Sequence, residues 1–135
     1  MKTLKEKFEL ASIARARSYS KYSKFAVGAV CILNNDEYVL GCNVENASYG
    51  LCNCAERSAL FSLISQGLNP KDVVEMVIIA DTARPVSPCV ACRQVMCELL
   101  NPDCLVTMFN LNEDVLTVKV SDLIPFAFDK GDLHE

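Results

Sequence analysis

The sequence predicts an α/β protein, a three-layer α/β/α sandwich around a mixed sheet of about five strands. Three observations predict it. Segments of helical spacing alternate with short apolar runs in the order α-β-β-α-β-α-β-β. The runs are nearly continuous in apolar residues, which suits strands covered on both faces. Only the turn around Asn35-Asp36 separates the first two runs, so one strand pair is a hairpin and the sheet is mixed.

Taken in order, Leu4, Phe8, Ala11 and Ala14 or Arg15 follow helical spacing and predict a first helix ending before a turn region at Tyr19–Lys24. Phe25–Leu33 is the first buried strand, and Tyr38–Asn43 its hairpin partner. Cys54–Gln66 is a second helix, with Ala55, Ala59, Leu60, Leu63 and Ile64 on its apolar stripe and Gly67 at its C-terminal end. Val73–Ala80 is another buried strand. Pro88 precedes a third helix, Cys89–Leu100, as suits proline at a helix entrance. Leu105–Leu111 and Leu116–Val120 are further strands, and Ser121–Pro125 starts a short final turn or helix. At 135 residues, with no repeat or linker, the expectation is one domain, 1–135.

Composition narrows the function. The chain is 51% hydrophobic and 22% charged, which excludes disordered and collagen-like classes. No apolar run approaches the ~20 residues that span a bilayer, and no apolar stretch follows the charged start, so the expected location is the cytoplasm, away from membranes. Residues 1–24 hold seven Lys/Arg against Glu6 and Glu9, a local +5, which leaves −9 for the rest of a chain of net charge −4. The acidic body argues against nucleic acid as partner, and the basic helix is expected to show a solvated face or to pack against an acidic neighbour.

Eight cysteines without an export signal point to metal ligation or burial rather than disulfides. The lone histidine, His134, sits next to the last residue, so a metal site in the body must use thiolates and carboxylates, and a Ser-His or Cys-His pair is disfavoured. Cys89-Val-Ala-Cys92 is the single CxxC, a spacing near chance at this cysteine density. Context adds weight. Cys54 opens the second helix, Cys89 the third, and Cys92 lies one turn further on the same face. Helix N-termini favour thiolate over thiol. Three thiolates suit Zn²⁺ with one tetrahedral position left open, the catalytic arrangement. A closed structural site wants a fourth ligand, and spacing leaves Cys52, Cys97 and Cys104 open for it. Glu56, in the first turn beside Cys54, is placed to move protons between a metal-bound water and a substrate; a helix N-terminal acid stabilised by the dipole is the plainer alternative.

These segments resemble the zinc-dependent cytidine deaminases. The resemblance is carried by Cys54-Ala-Glu56-Arg57, by Ser87-Pro-Cys89-Val-Ala-Cys92-Arg-Gln94, by Gly41-Cys-Asn43-Val44-Glu45-Asn46 and by Tyr22-Ser-Lys-Phe25-Ala-Val-Gly28-Ala29. It covers nearly the whole chain, in the family's order and spacing, and is nearest to the short, homotetrameric type with three cysteine ligands. It implies hydrolytic deamination of cytidine and 2′-deoxycytidine, with one Zn²⁺ per subunit held by Cys54, Cys89 and Cys92. A zinc-activated water would attack C4 while Glu56 shuttles protons. The resemblance further implies that Asn43, Val44 and Glu45 line the ribose end, that Phe25 packs against the pyrimidine, and that the Ala55 backbone contacts the base. Arg57 would donate to the ligand thiolates, offsetting the net −1 of Zn²⁺ with three thiolates. Tyr49 and Phe128 would complete sites of neighbouring subunits.

Plainer readings stand beside these. Phe25 at an apolar strand end suits the core as well as a substrate platform, and polar residues such as Asn43 and Glu45 are ordinary after a strand. Cys31, Cys42, Cys97 and Cys104 suit small buried hydrophobes. The rival functions are a deaminase of a cytosine-bearing antibiotic such as blasticidin S, a deaminase of cytosine within nucleic acid, and a non-catalytic structural zinc module.

Overall fold

The computed structural model describes residues 1–133; His134 lies outside the described residues, with Glu135. Helix α1 (Leu4–Ala16) starts at a capping box in which the Glu6 amide donates to Thr3 Oγ1 and the Thr3 amide donates to Glu6 Oε1. Strands β1 (Val27–Leu33) and β2 (Tyr38–Cys42) form the expected hairpin, whose turn places Asp36 at φ 72°. There follow α2 (Ala55–Ser65), β3 (Val73–Ala80), α3 (Val90–Leu99), β4 (Leu105–Asn110), β5 (Val115–Lys119) and the one-turn α4 (Val120–Leu123).

The sheet order is β2-β1-β3-β4-β5, with β3 and β4 parallel and the other neighbours antiparallel. Alternation along the strands sorts the core into two layers. Val30, Ile32, Val77, Ile79 and Phe109 face α1, where Ala11 is buried and Phe8 meets Phe109 edge-on at 5.3 Å. Ala29, Cys31, Met76, Ile78, Val106 and Met108 face the other way, onto Ala59, Leu60 and Leu63 of α2 and Met96 of α3. The three-layer mixed sandwich expected from the sequence is the fold observed.

Two glycines set how closely the helices lie. A Cβ on Gly28 would stand 2.3 Å from the Ala11 carbonyl oxygen, and one on Gly41 would stand 2.4 Å from the Ala59 amide nitrogen. Gly28 therefore seats α1 on β1 from one side, and Gly41 seats α2 on β2 from the other.

Some expectations shift. Phe25 and Asn43 fall outside their strands, because Lys24 takes a left-handed φ of 60° and the Asn43 side chain occupies the backbone groups of Phe25 and Val27. Leu4 and Ile64, expected on buried stripes, are half exposed at the ends of their helices, beyond the sheet. The basic helix packs against acids: Lys7 Nζ lies 2.7 Å from Glu75, and Lys2 lies 3.6 Å from Asp36. Among the described residues no helix is long and apolar enough to cross a membrane.

Candidate active site

Sheet direction brings the site together. β2 and β3 both run antiparallel to β1, so both end at the edge where β1 begins. The chain leaving β2 enters the N-terminus of α2, and the chain leaving β3 enters the N-terminus of α3. Cys54 and Cys89 are the N-cap residues of those two helices, and Phe25 and Asn43 flank the start of β1 and the end of β2. Residues distant in sequence thus share one sheet edge, below two helix N-termini that favour negative charge.

The Sγ atoms of Cys54, Cys89 and Cys92 lie within 4.8 Å of one another. Cys54 Sγ is 3.8 Å from Cys89 Sγ, and Cys89 Sγ is 3.4 Å from Cys92 Sγ. A tetrahedral metal with Zn–S bonds of about 2.3 Å places its sulfurs about 3.8 Å apart, so this donor set fits zinc. The fourth-ligand alternative fails: among the described residues Cys52, Cys97 and Cys104 do not join the cluster. Cys52 Sγ instead accepts from the Asn46 amide at 3.4 Å, and the Cys104 thiol is buried and donates to the Leu105 carbonyl at 3.6 Å. Burial pushes the Cys31 and Cys104 thiols up to about 12, as befits inert packing residues.

Electrostatics separates the three sulfurs. Hydrogen bonding with the Cys92 thiol, joined by Arg57, pulls Cys54 down to about 5. Cys92 is pushed up by the same bond to Cys54 and by burial. The cluster therefore favours the thiolate at Cys54, and a metal held there would displace the remaining protons. Arg57 Nη2 donates to Cys54 Sγ at 3.3 Å, and the sulfurs hold its guanidinium firmly charged.

Glu56 is 4% exposed, and burial pushes its carboxyl up to about 7, against the lowering effect of its own backbone amide. A carboxyl poised there takes up and gives back a proton near neutral pH. Its burial removes the plain helix-acid reading, since an acid placed only for the helix dipole would stay in water.

A cavity of about 350 Å³ opens over these groups, with Phe25, Asn43 and Glu45 along its wall as well as Cys54, Glu56 and Cys89. Ala55 and Arg57 also line it. Phe25 is 42% exposed on that wall rather than in the core. Asn43 Oδ1 accepts from Ser18 Oγ at 2.5 Å and from the Val27 amide at 2.9 Å, while Nδ2 donates to the Phe25 carbonyl at 2.7 Å. Glu45 accepts from the amides of Tyr22 and Ser23, each at 3.0 Å, and from the Ser23 hydroxyl. These bonds, that of the Ser23 hydroxyl first, hold the Glu45 carboxyl below its ordinary range. Val44 does not line the cavity: its side chain is exposed, and its backbone exchanges two 3.0 Å bonds with Asn53, which does line it. Tyr49 lines an adjoining hollow with Tyr22 and Glu45, and Phe128 stands exposed on the C-terminal segment, so neither reaches the cavity over the sulfurs.

The contacts of Ser18, Ser23, Arg93 and Gln94 were beyond sequence reasoning. Arg93 and Gln94 follow Cys92 directly, but beyond the nearby Pro88 carbonyl their side chains reach Leu123 and Phe128, thirty or more positions away in the chain.

Three cysteine sulfurs gathered at two helix N-termini, beside a buried carboxyl at one edge of an α/β/α sheet, form a site that fits one zinc ion. Residues 1–108 match the cytidine and deoxycytidylate deaminase zinc-binding region, and the chain belongs to that family. The chain is 48% identical over 122 residues to a cytidine deaminase of Halalkalibacterium halodurans, covering 90% of this chain and 91% of that one. The fold superposes on the crystal structure of cytidine deaminase from Burkholderia pseudomallei with a TM-score of 0.91, at 46% identity, covering 94% of this chain and 100% of that one. A blasticidin-S deaminase of Bacillus cereus is more distant, 26% identical over 131 residues, which cover 91% of this chain and 92% of that one.

Proposed function

We propose that the chain hydrolyses cytidine and 2′-deoxycytidine to uridine and 2′-deoxyuridine with release of ammonia, a step of pyrimidine salvage. It does so as a cytoplasmic, single-domain subunit of a homotetramer. The observation that carries the reading is that one cavity, lined by Cys54 and Cys89 of the sulfur cluster, joins buried Glu56 to a polar end at Asn43 and Glu45. The activities named for the relatives at 48% and 46% identity support it.

Cys54, Cys89 and Cys92 would hold the zinc, which supplies acidity to a water and a fixed place for it. Glu56 takes a proton from the attacking water and delivers it to N3 of the base, which makes C4 electrophilic. The water oxygen bonds to C4 as the N3–C4 double bond opens. Glu56 then carries the proton of the new C4 hydroxyl to the amino group, the C4–N bond breaks and ammonia leaves, with C4 becoming the carbonyl of uridine. A carboxyl near pH 7 serves both directions of this traffic. Phe25 packs on the pyrimidine, the Ala55 backbone contacts the base, and Glu45 with Asn43 receives the ribose 3′-hydroxyl. Both sugars carry that hydroxyl, so both nucleosides are substrates. The free base lacks it and leaves the polar groups unpaired, so cytosine is rejected. Arg57 neutralises the excess negative charge of three thiolates.

The test follows ultraviolet absorbance of cytidine, cytosine and blasticidin S with zinc-replete protein. Rapid turnover of cytidine alone supports the reading. Turnover of blasticidin S in its place would transfer the site to the antibiotic, and equal turnover of cytosine would remove the sugar role of Asn43 and Glu45. Glu56→Gln retains zinc and loses about 10³-fold in turnover; near-normal activity in that variant overturns the proton shuttle.

A further inference from the structure

We infer that Arg93 and Gln94 are positioning residues that dock the C-terminal segment 124–133 onto the metal loop, coupling metal retention to the placement of Phe128. The inference rests on the zinc reading of the three cysteines above. The Arg93 amide donates to the Cys89 carbonyl at 3.0 Å, so the residue turns with the ligand loop. Its Nε donates to the Pro88 carbonyl at 2.9 Å, immediately before Cys89, and its Nη1 donates to the Leu123 carbonyl at 3.0 Å, immediately before the segment. Gln94 Nε2 donates to the Phe128 carbonyl at 2.7 Å.

Within the single chain few hydrogen bonds hold this segment, and of its apolar residues Ile124 and Ala127 are half-buried. Helix α4 ends at Leu123, and Phe126 is fully exposed at a left-handed φ of 56°, while Phe128 is 61% exposed. Among the described residues the other hydrogen bonds beyond residue 124 run within the segment, from the Asp129 amide to Asp132, from the Gly131 amide to Asp129 and from the Asp132 amide to the Asp129 carbonyl. Among the described residues, the Gln94 bond is the one side-chain hydrogen bond from the body to it. One rigid, planar guanidinium thus fixes two carbonyls, one on each side of the junction, and a lysine ammonium has no such fork. Displacement of Pro88 on metal loss moves the anchor of the segment, and by linkage, loosening the segment weakens the metal site.

The test uses the zinc-loaded full chain. Zinc release to a colorimetric chelator should be about tenfold faster in Arg93→Met and Arg93→Lys than in the parent, and faster in the same direction in Gln94→Ala. In the parent, chelation should speed trypsin cleavage after exposed Lys130 relative to cleavage after exposed Lys5 on α1. Unchanged release in Gln94→Ala, or cleavage at both lysines rising together, overturns the coupling. If Arg93→Met does not fold, Gln94→Ala and the parent digestion still decide. A parent chain that takes up no zinc removes the metal reading and this inference with it, whereas zinc uptake with unchanged release removes the inference alone.

Discussion

At Asn43 one amide makes three hydrogen bonds, to Ser18, Val27 and Phe25, and so fixes the loop that carries Phe25. Asn43→Ala strands the Val27 amide and the Phe25 carbonyl, and should lower stability by about 1–3 kcal/mol as well as raise KM. Thermal unfolding beside cytidine kinetics checks it; a variant with raised KM and unchanged Tm would mean the amide serves substrate alone. Glu45 behaves differently because its bonds to Tyr22 and Ser23 lie in water. Glu45→Gln should leave Tm nearly unchanged and raise KM about tenfold or more. The sign with pH follows from the lowered carboxyl: the ionised grip on the loop is complete above the ordinary range of about 4.3 and is lost only as pH falls through the lower folded value. KM of the parent should therefore show no titration from Glu45 above pH ~5. At this scale the sequence is legible where partners are near neighbours, as in Cys54-Ala-Glu56-Arg57 and Cys89-x-x-Cys92. It marks Asn43 but is mute on the bonds that Asn43 and Arg93 make, since those partners are set by where strands end and loops return.

The elements were legible because apolar runs and helical stripes report burial directly, and every helix and strand expected is present within a few residues. The misplaced ends have local causes that residue type does not announce. Lys24 is not a residue expected at positive φ, yet there it turns the chain and frees Phe25 from β1 to line the cavity. The glycines at helix–sheet contacts carry the reverse lesson. Gly41 sits on β2 with ordinary strand geometry, and only packing shows that it admits α2, whose N-terminus holds Cys54 and Glu56. Gly41→Ala must push α2 outward by the width of a methyl group, costing about 1–3 kcal/mol or more. Because α2 carries Glu56, for which the proton shuttle is proposed, the same substitution should slow turnover, while Gly28→Ala, which pushes α1 from the opposite face, should cost comparable stability with a smaller loss of activity. Chemical denaturation and kinetics of both variants check this, and equal activity losses would show that the two faces of the sheet are not independent.

At the scale of the whole molecule, the isolated chain leaves large apolar groups in water that its own core does not need. Tyr49 is 79% exposed, Leu51 69%, and Phe126 and Phe128 stand out from the C-terminal segment. The resemblance singles out Tyr49 and Phe128, but their exposure, and that of Leu51 and Phe126, depends on the finished fold and is not legible in the pattern of residues. Their exposure supports the proposed assembly, in which these groups meet neighbouring copies and Phe128 serves a site other than its own. The decisive experiment mixes two inactive or weakened chains. Glu56→Gln lacks the proton shuttle but carries an intact Phe128; Phe128→Ala keeps Glu56 but lacks the ring. If each site draws the two groups from different subunits, unfolding and co-refolding equal amounts creates sites in which both are intact. With random assortment about a quarter of sites regain parental turnover, so the mixture exceeds the mean of the separate proteins. If both groups belong to one chain, no hybrid site contains both, and activity stays at that mean. Sedimentation of the parent at four times the chain mass, together with recovery in the mixture, establishes shared sites. A tetramer without recovery removes the role proposed for Phe128, and a monomer confines the chemistry to a single chain and removes the roles proposed for Tyr49 and Phe128 together.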